Sequence, residues 1–145
     1  MPATAGFLNE VLDLYFLNEA HVEIGDAAGL LPSAAPGSFY ISLHTGNPVA
    51  GDQTTSETTV GTYARKAVAR SGAGFTVAAA NVSNAAAVTF AQGSSGSETI
   101  QYFGIGENVS GAGTLFMSGP LDTNRTYGNG ITLEFAIGEL DVDLT

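Results

Sequence analysis

The 145-residue chain contains no cysteine and no tryptophan. Without cysteine it forms neither disulfide bonds nor thiolate metal sites, and its redox compartment is left undetermined. No apolar run approaches the roughly 20 residues that a membrane-spanning helix needs. The N-terminus has no basic region ahead of its apolar part, so no secretory signal is predicted.

Basic residues are also scarce. Four Lys and Arg stand against 14 Asp and Glu, which gives a net charge of −10. Because phosphate backbones and anionic membranes are bound through clustered Lys and Arg, we expect neither nucleic acid nor a membrane as a direct partner. Charged residues make up 12% of the chain and apolar residues 44%. This balance fits either a surface partly covered by a partner or a solvated surface rich in Ser, Thr and Asn.

Glycine is abundant, with 19 residues, and short alternating apolar segments run through the chain. In the clearest segment, Phe39, Ile41 and Leu43 alternate with polar positions until Pro48 ends the pattern. About eight such segments occur, with turn residues at roughly ten-residue intervals. The pattern predicts an all-β fold, a β-sandwich or jelly roll of about eight short antiparallel strands, preceded by an N-terminal amphipathic helix.

Two parts of the chain are predicted. Residues 1–37 comprise a helix from about Ala5 to Glu19 and an extended arm or strap, and residues 38–145 form the β-sandwich domain. Thr4 is the expected helix N-cap. The helix has a wide apolar stripe, so it either packs on its own domain or docks as an arm on a neighbouring subunit. In the second arrangement, the candidate partner contacts are Phe7, Val11, Leu14 and Tyr15.

Three of the four basic residues fall within residues 60–70, a segment predicted to be a strand. They are Arg65, Lys66 and Arg70. They either pair with nearby carboxylates on a solvated strand or form a rim that contacts an acidic partner surface. The group is too small for strong nucleic-acid binding.

No residue group makes a convincing active site, so we expect no enzyme activity and no cofactor. His44 has only His21 as a companion, and no Gly-x-Ser-x-Gly pattern occurs. We therefore expect His44 to hydrogen-bond a turn at the end of its strand. The glycine-rich segment 104–111 departs from a dinucleotide-binding loop and is predicted to be a turn. The polar segment 46–59 is predicted to be a loop that could be mobile.

Acidic residues alternate near the C-terminus. Glu139, Asp141 and Asp143 are expected on one face of the last strand, close to Glu134. A solvated acidic edge that resists aggregation is the main interpretation. A weak divalent-ion site and a glycosidase-like carboxylate pair are the alternatives.

The order of these features resembles that of a family of small tailed-bacteriophage virion proteins with a Leu-His-Thr-x-x-Pro signature, here Leu43 to Pro48. The resemblance covers nearly the whole chain and implies a virion protein. It is carried further by residues 61–70, 74–77, 84–90, 103–106, 110–115 and 118–121.

Relatives of this kind are often labelled tail fibre proteins. The small size of the chain, and the lack of a long repeat or stalk, favour a capsid decoration (cement) protein instead. Such a protein would bind the major capsid protein on the outer surface of the head, stabilise the lattice, and form a dimer or trimer. A tail fibre or receptor-binding component of the tail is the alternative.

Overall fold

The computed structural model describes residues 2–21, 24–25 and 29–144. Most regular structure consists of strands in antiparallel sheets, preceded by one short helix, which confirms the predicted all-β class. A short strand expected at residues 21–24 and the first part of the strap fall partly outside the described residues. In the described part of the chain, no helix has the length and apolar character needed to span a membrane.

The elements follow in chain order. Helix α1 spans Ala5–Leu12 and continues as a π-helical turn over Asp13–Leu17. The strands are β1 (Ser38–His44), β2 (Lys66–Ala69), β3 (Phe75–Ala78), β4 (Asn81–Asn84), β5 (Val88–Thr89), β6 (Ser97–Gly106), β7 (Leu115–Gly128), β8 (Glu134–Phe135) and β9 (Asp141–Asp143).

The described residues group into two compact units. Unit 1 takes its residues from 1–38, 69–87 and 135–145, and unit 2 from 39–68 and 88–134. The three-stranded sheet β3–β4–β9 belongs to unit 1, and the sheet of order β2–β1–β6–β7 provides the main strands of unit 2. The domain boundary predicted after residue 37 stays a prediction.

In unit 1, the N-terminal helix packs on strand β3. Leu12 and Phe16, one helical turn apart, are 1% and 0% exposed. The ring of Phe16 meets the ring of Phe75 edge-on, with centroids 5.0 Å apart. Thr4 Oγ1 accepts a hydrogen bond from Phe7 N at 3.3 Å, as expected of the N-cap. One face of the helix therefore belongs to the core of its own unit.

Strands β3 and β4 are joined by the two-residue turn Ala79-Ala80, in which both residues have positive φ, 54° and 66°. This conformation is unfavourable for alanine. Asn9 Oδ1 accepts from Ala80 N at 2.6 Å, and Leu144 N donates to Ala80 O at 3.1 Å. The helix and the C-terminal chain thus stabilise the turn. Strand β4 is not predicted from the sequence, because the turn lacks the Asn-Gly signal of tight hairpins.

The sequence predicts a central strand at residues 100–107, because this segment is apolar on both faces. In unit 2, β6 lies between β1 and β7, in agreement with that position. The β6–β7 pairing is interrupted between the pairs Ile100–Arg125 and Tyr102–Pro120. There, four residues of β7 lie opposite a single residue of β6. This bulge makes the edge strand β7 irregular, which is a common way to prevent the pairing of one sheet edge with another.

The C-terminal prediction needs a correction. Alternation predicts a strand over residues 131–137 with Ile137 facing inward, whereas β8 is only two residues long and Ile137 is 70% exposed. Gly138 has φ 79°, and Glu139 N donates to Ala136 O at 3.1 Å. The change of parity before β9 is thus a turn into a separate strand, one of the two expected explanations, and the turn rotates Ile137 outward.

The helix offers a matched test of this packing. We expect Phe16→Ala to reduce the free energy of unfolding by about 3–5 kcal/mol, because it leaves a cavity against Phe75. Phe7→Ala, on the exposed side, should cost under about 1 kcal/mol. Urea unfolding followed by circular dichroism measures both. Equal losses in the two variants would contradict the packing.

Candidate functional site

Strand β1 ends in a buried histidine. His44 is 0% exposed; its Nδ1 lies 2.9 Å from Thr55 O and its Nε2 lies 2.8 Å from Ser42 Oγ. Because a carbonyl oxygen only accepts, Nδ1 carries the proton and the Ser42 hydroxyl donates to Nε2. The expected hydrogen bond from His44 to a turn is present. Burial lowers the pKa of His44, which favours the neutral ring.

Two glycines of β6 make room for this arrangement. Gly104 pairs with Ser42, and a Cβ on Gly104 would lie 2.7 Å from both His44 Nε2 and Ser42 Oγ. A Cβ on Gly106 would lie 2.2 Å from the amide carbon of Gln53, a side chain that is 0% exposed. Both glycines fall in the strand predicted at residues 100–107 as well as in the glycine-rich segment 104–111; they lie in β6, and the rest of that segment follows the strand. Glycine inside a strand often marks a close approach, and that signal was available in the sequence.

Glu57, in the loop that follows β1, forms a buried ion pair with Arg65. Arg65 Nε and Nη2 each donate to one carboxylate oxygen of Glu57 at 2.7 Å. Arg65 Nη1 donates to Asn108 O and Nη2 to Gly111 O, both at 2.9 Å. The Arg65 and Glu57 side chains are 2% and 16% exposed. The hydrogen bonds to Glu57 are the main cause that raises the pKa of Arg65, so the guanidinium stays charged.

Tyr63 connects the ion pair to β1. Its hydroxyl donates to Glu57 Oε1 at 2.8 Å and accepts from Leu43 N at 3.1 Å. Burial raises the pKa of the Tyr63 phenol, which therefore remains a donor. We refer to these connected groups as the polar cluster: Ser42, His44, Glu57, Tyr63 and Arg65.

The polar cluster fixes the loop at residues 46–59. Thr45 N donates to Ser56 O at 2.8 Å, and Thr58 N donates to Leu43 O at 3.0 Å. Thr58 Oγ1 donates to a carboxylate oxygen of Glu98 at 2.6 Å. The segment has no strand or helix pattern, yet its two ends are tied to the sheet. Hydrogen bonds thus hold both ends of the loop to the sheet, and the mobility expected of the segment stays a prediction.

The three basic residues proposed as rim contacts have different surroundings. Arg65 is buried in the polar cluster. Arg70 belongs to unit 1 and donates to Tyr15 O at 2.7 Å, Pro36 O at 2.9 Å and Leu14 O at 3.1 Å. Of the three, only Lys66 is exposed. A role in partner binding stays a prediction for all three, and the internal hydrogen bonds give the two arginines a structural role.

The four helix residues proposed as partner contacts are less buried than Leu12 and Phe16, although the ring of Tyr15 contacts that of Phe16 at a centroid distance of 6.1 Å. Their side chains are exposed or half-buried, with Phe7 54% and Tyr15 40% exposed. Their role in partner binding also stays a prediction. The four are Phe7, Val11, Leu14 and Tyr15.

The C-terminal acids do not converge on one point. Glu139 Oε2 accepts from Ala136 N at 2.7 Å, inside the turn before β9. Asp141 and Asp143 instead share the side-chain amide of Asn81, which lies 2.9 Å from Asp143 Oδ1. Within the described residues, no group of three or more His, Asp or Glu side chains is placed to hold a metal ion.

The chain belongs to the family described as Podophage GP4 fiber I protein gp80, whose model matches residues 9–143. A comparison with curated proteins finds no match. The chain is thus a member of a phage virion protein family, as the resemblance implied, and the family description agrees with the tail fibre alternative better than with head decoration.

The polar cluster predicts that two arginines differ greatly in their contribution to the free energy of unfolding. Arg65→Ala removes one partner of a buried pair and leaves the Glu57 carboxylate uncompensated, so we expect a loss of about 3–5 kcal/mol in the free energy of unfolding. Arg125→Ala, at an exposed position of β7, should change it by about 0.5 kcal/mol or less. Urea unfolding monitored by tyrosine fluorescence compares the two. Similar small effects would show that the pair is dispensable.

The burial of His44 should make the free energy of unfolding depend on pH near neutrality. Its pKa is lowered in the folded chain from an ordinary value of 6.5, so the unfolded chain binds the proton more readily. The contribution of His44 to stability is fully present above its unfolded pKa and is lost as the pH falls toward its folded pKa. Between about pH 7.5 and about pH 5.5, the wild type should therefore lose more stability than His44→Gln. Parallel pH slopes for the two chains would exclude this role.

Proposed function

We propose that the chain is a non-enzymatic structural module of the phage tail fibre, where it joins a neighbouring tail or fibre subunit. The observation that carries this proposal is the family match over residues 9–143, whose description names a fiber protein. The tail fibre alternative of the sequence analysis thus becomes the main reading. The site on the virion would be the tail.

The shape of the elements suggests an accessory role within a fibre. The described strands range from two to fourteen residues in length, and they form small antiparallel sheets. Fibre shafts rely on repeated units that stack along one axis. A chain with these elements suits a rigid connector or cap attached to a longer fibre component.

The acids considered for hydrolysis support the non-enzymatic part of the proposal. Glu139 caps the N–H of Ala136, and Glu134 Oε2 accepts from Thr89 Oγ1. Asp141 and Asp143 bind the amide of Asn81. Each carboxylate thus has a local hydrogen-bonding role, whereas paired catalytic carboxylates flank a substrate.

Head decoration is the second candidate function. It is favoured by the small size of the chain, 145 residues, and by the lack of a long repeat in its sequence. Its partner would be the major capsid protein. Formation of a dimer or trimer is proposed under both functions, and sedimentation of the purified chain measures it. Neither function assigns a role in nucleic-acid or membrane binding, because the chain has a net charge of −10.

The location of the chain on the particle tests the proposal. We expect gold-labelled antibodies against the chain to mark the tail, while antibodies against the major capsid protein mark the head as a control. Label spread over the head would overturn the tail fibre proposal and establish decoration. Absence of the chain from purified particles by mass spectrometry would overturn both.

A further inference from the structure

Several large apolar side chains of unit 1 remain exposed near the N-terminal helix. Their exposed fractions range from 40% to 74%. Exposed apolar residues that form one continuous surface are typical of protein interaction sites, whereas scattered ones are normal. We refer to this group as the arm face: Phe7, Tyr15, Leu30 and Leu31.

Hydrogen bonds hold parts of the strap to the segment that follows the helix. His21 N donates to Leu30 O at 3.0 Å, and Leu30 N donates to His21 O at 2.7 Å. The ring of Phe7 meets the ring of His21 edge-on, with centroids 6.3 Å apart. Further along, Asn18 Nδ2 donates to Ser33 O and Ser33 N donates to Asn18 Oδ1, both at 2.9 Å. Leu30 is thus joined through His21 to Phe7, so this part of the strap lies close to the first turns of the helix.

Arg70 fixes the backbone that carries the arm face. Arg70 donates to the carbonyl oxygens of Leu14 and Tyr15 at the end of the helix, and to Pro36 O in the strap. A cation at the C-terminal end of a helix is favourable, because the last carbonyls carry partial negative charge. Helix and strap are therefore held by one guanidinium, and the exposed side chains sit on a defined backbone.

Uncompensated negative charge borders the arm face. Glu10, Asp13 and Glu19 lie on or next to the helix, and within the described part of the chain none of them forms an ion pair with a base. Asp13 lies where α1 continues into the π-helical turn. Burial raises the pKa of Asp13, and repulsion from Glu19 and Glu10 adds to this effect. A cationic group brought to this surface would relieve the repulsion.

We propose that the arm face binds a segment of another virion protein in which apolar side chains are flanked by lysine or arginine. The proposal rests on the virion role inferred above, and it specifies the chemistry of the partner. A second copy of this chain is a poor occupant, because a two-fold contact would oppose identical carboxylates. The chain also has few cations to offer: of its four basic residues, Arg65 and Arg70 are used internally.

Photo-crosslinking in intact phage particles tests the proposal. A photoreactive residue, p-benzoyl-phenylalanine, replaces Leu31, and a control replaces Val109, which is 61% exposed in unit 2. We expect position 31 to cross-link to an apolar, basic segment of a different virion protein, as identified by mass spectrometry. A cross-link to a second copy, or to an acidic segment, would overturn the proposal. No cross-link from position 31 in particles that contain the chain would do the same.

The cross-linked segment, made as a synthetic peptide, then tests the charge. Two rim charge pairs contribute modestly, so Glu10→Gln combined with Glu19→Gln should weaken binding to the full chain roughly three- to tenfold. Asp122→Asn, an exposed acid of unit 2, is the control and should leave affinity unchanged. Equal affinities for the double variant and wild type would overturn the charge argument. A head location with this binding intact would refute only the tail proposal.

Discussion

The guanidinium of Arg65 is the constraint on which unit 2 depends. It donates to four acceptors that come from the loop before β2 and from the turn after β6. Burying a charge costs free energy unless its hydrogen-bonding partners stay in place. Loss of any one partner of Arg65 would therefore destabilise the contacts to the others. Tyr63 passes this constraint to β1 through the backbone N–H of Leu43. Glu57, near the end of the loop at residues 46–59, consequently takes its position from Arg65.

Unit 1 uses an arginine in a different way. Arg70 donates to carbonyl oxygens that lie where the helix ends and in the strap. The two arginines are five positions apart in the sequence, and each serves its own unit. Because both positive charges are directed inward, the exposed surface of an acidic chain becomes still more negative. For this reason, the segment at residues 60–70 exposes little positive charge, although it contains three of the four basic residues.

The sequence was informative where the pattern was local. Alternation identified β1 and the central strand β6, and helical spacing with Thr4 as N-cap identified the helix. The polar cluster was not predictable in the same way, because Arg65 reaches carbonyls 43 and 46 residues away. Strand β4 was missed because an Ala-Ala turn depends on Asn9, which belongs to the helix. The inward position predicted for Ile137 failed at a positive-φ glycine, where alternation no longer holds. For the polar cluster and for β4, the deciding partner was distant in sequence.

The tied ends of the loop at residues 46–59 have a consequence for evolution and for binding kinetics. Pro48 is buried, whereas its neighbour Val49 is 71% exposed at the tip. Tip side chains can therefore be exchanged without altering the frame beneath them. A ligand that meets this tip encounters a preorganised surface, and little conformational entropy is lost on contact. Changes at the tip would then alter the residence time of the ligand more than its rate of association.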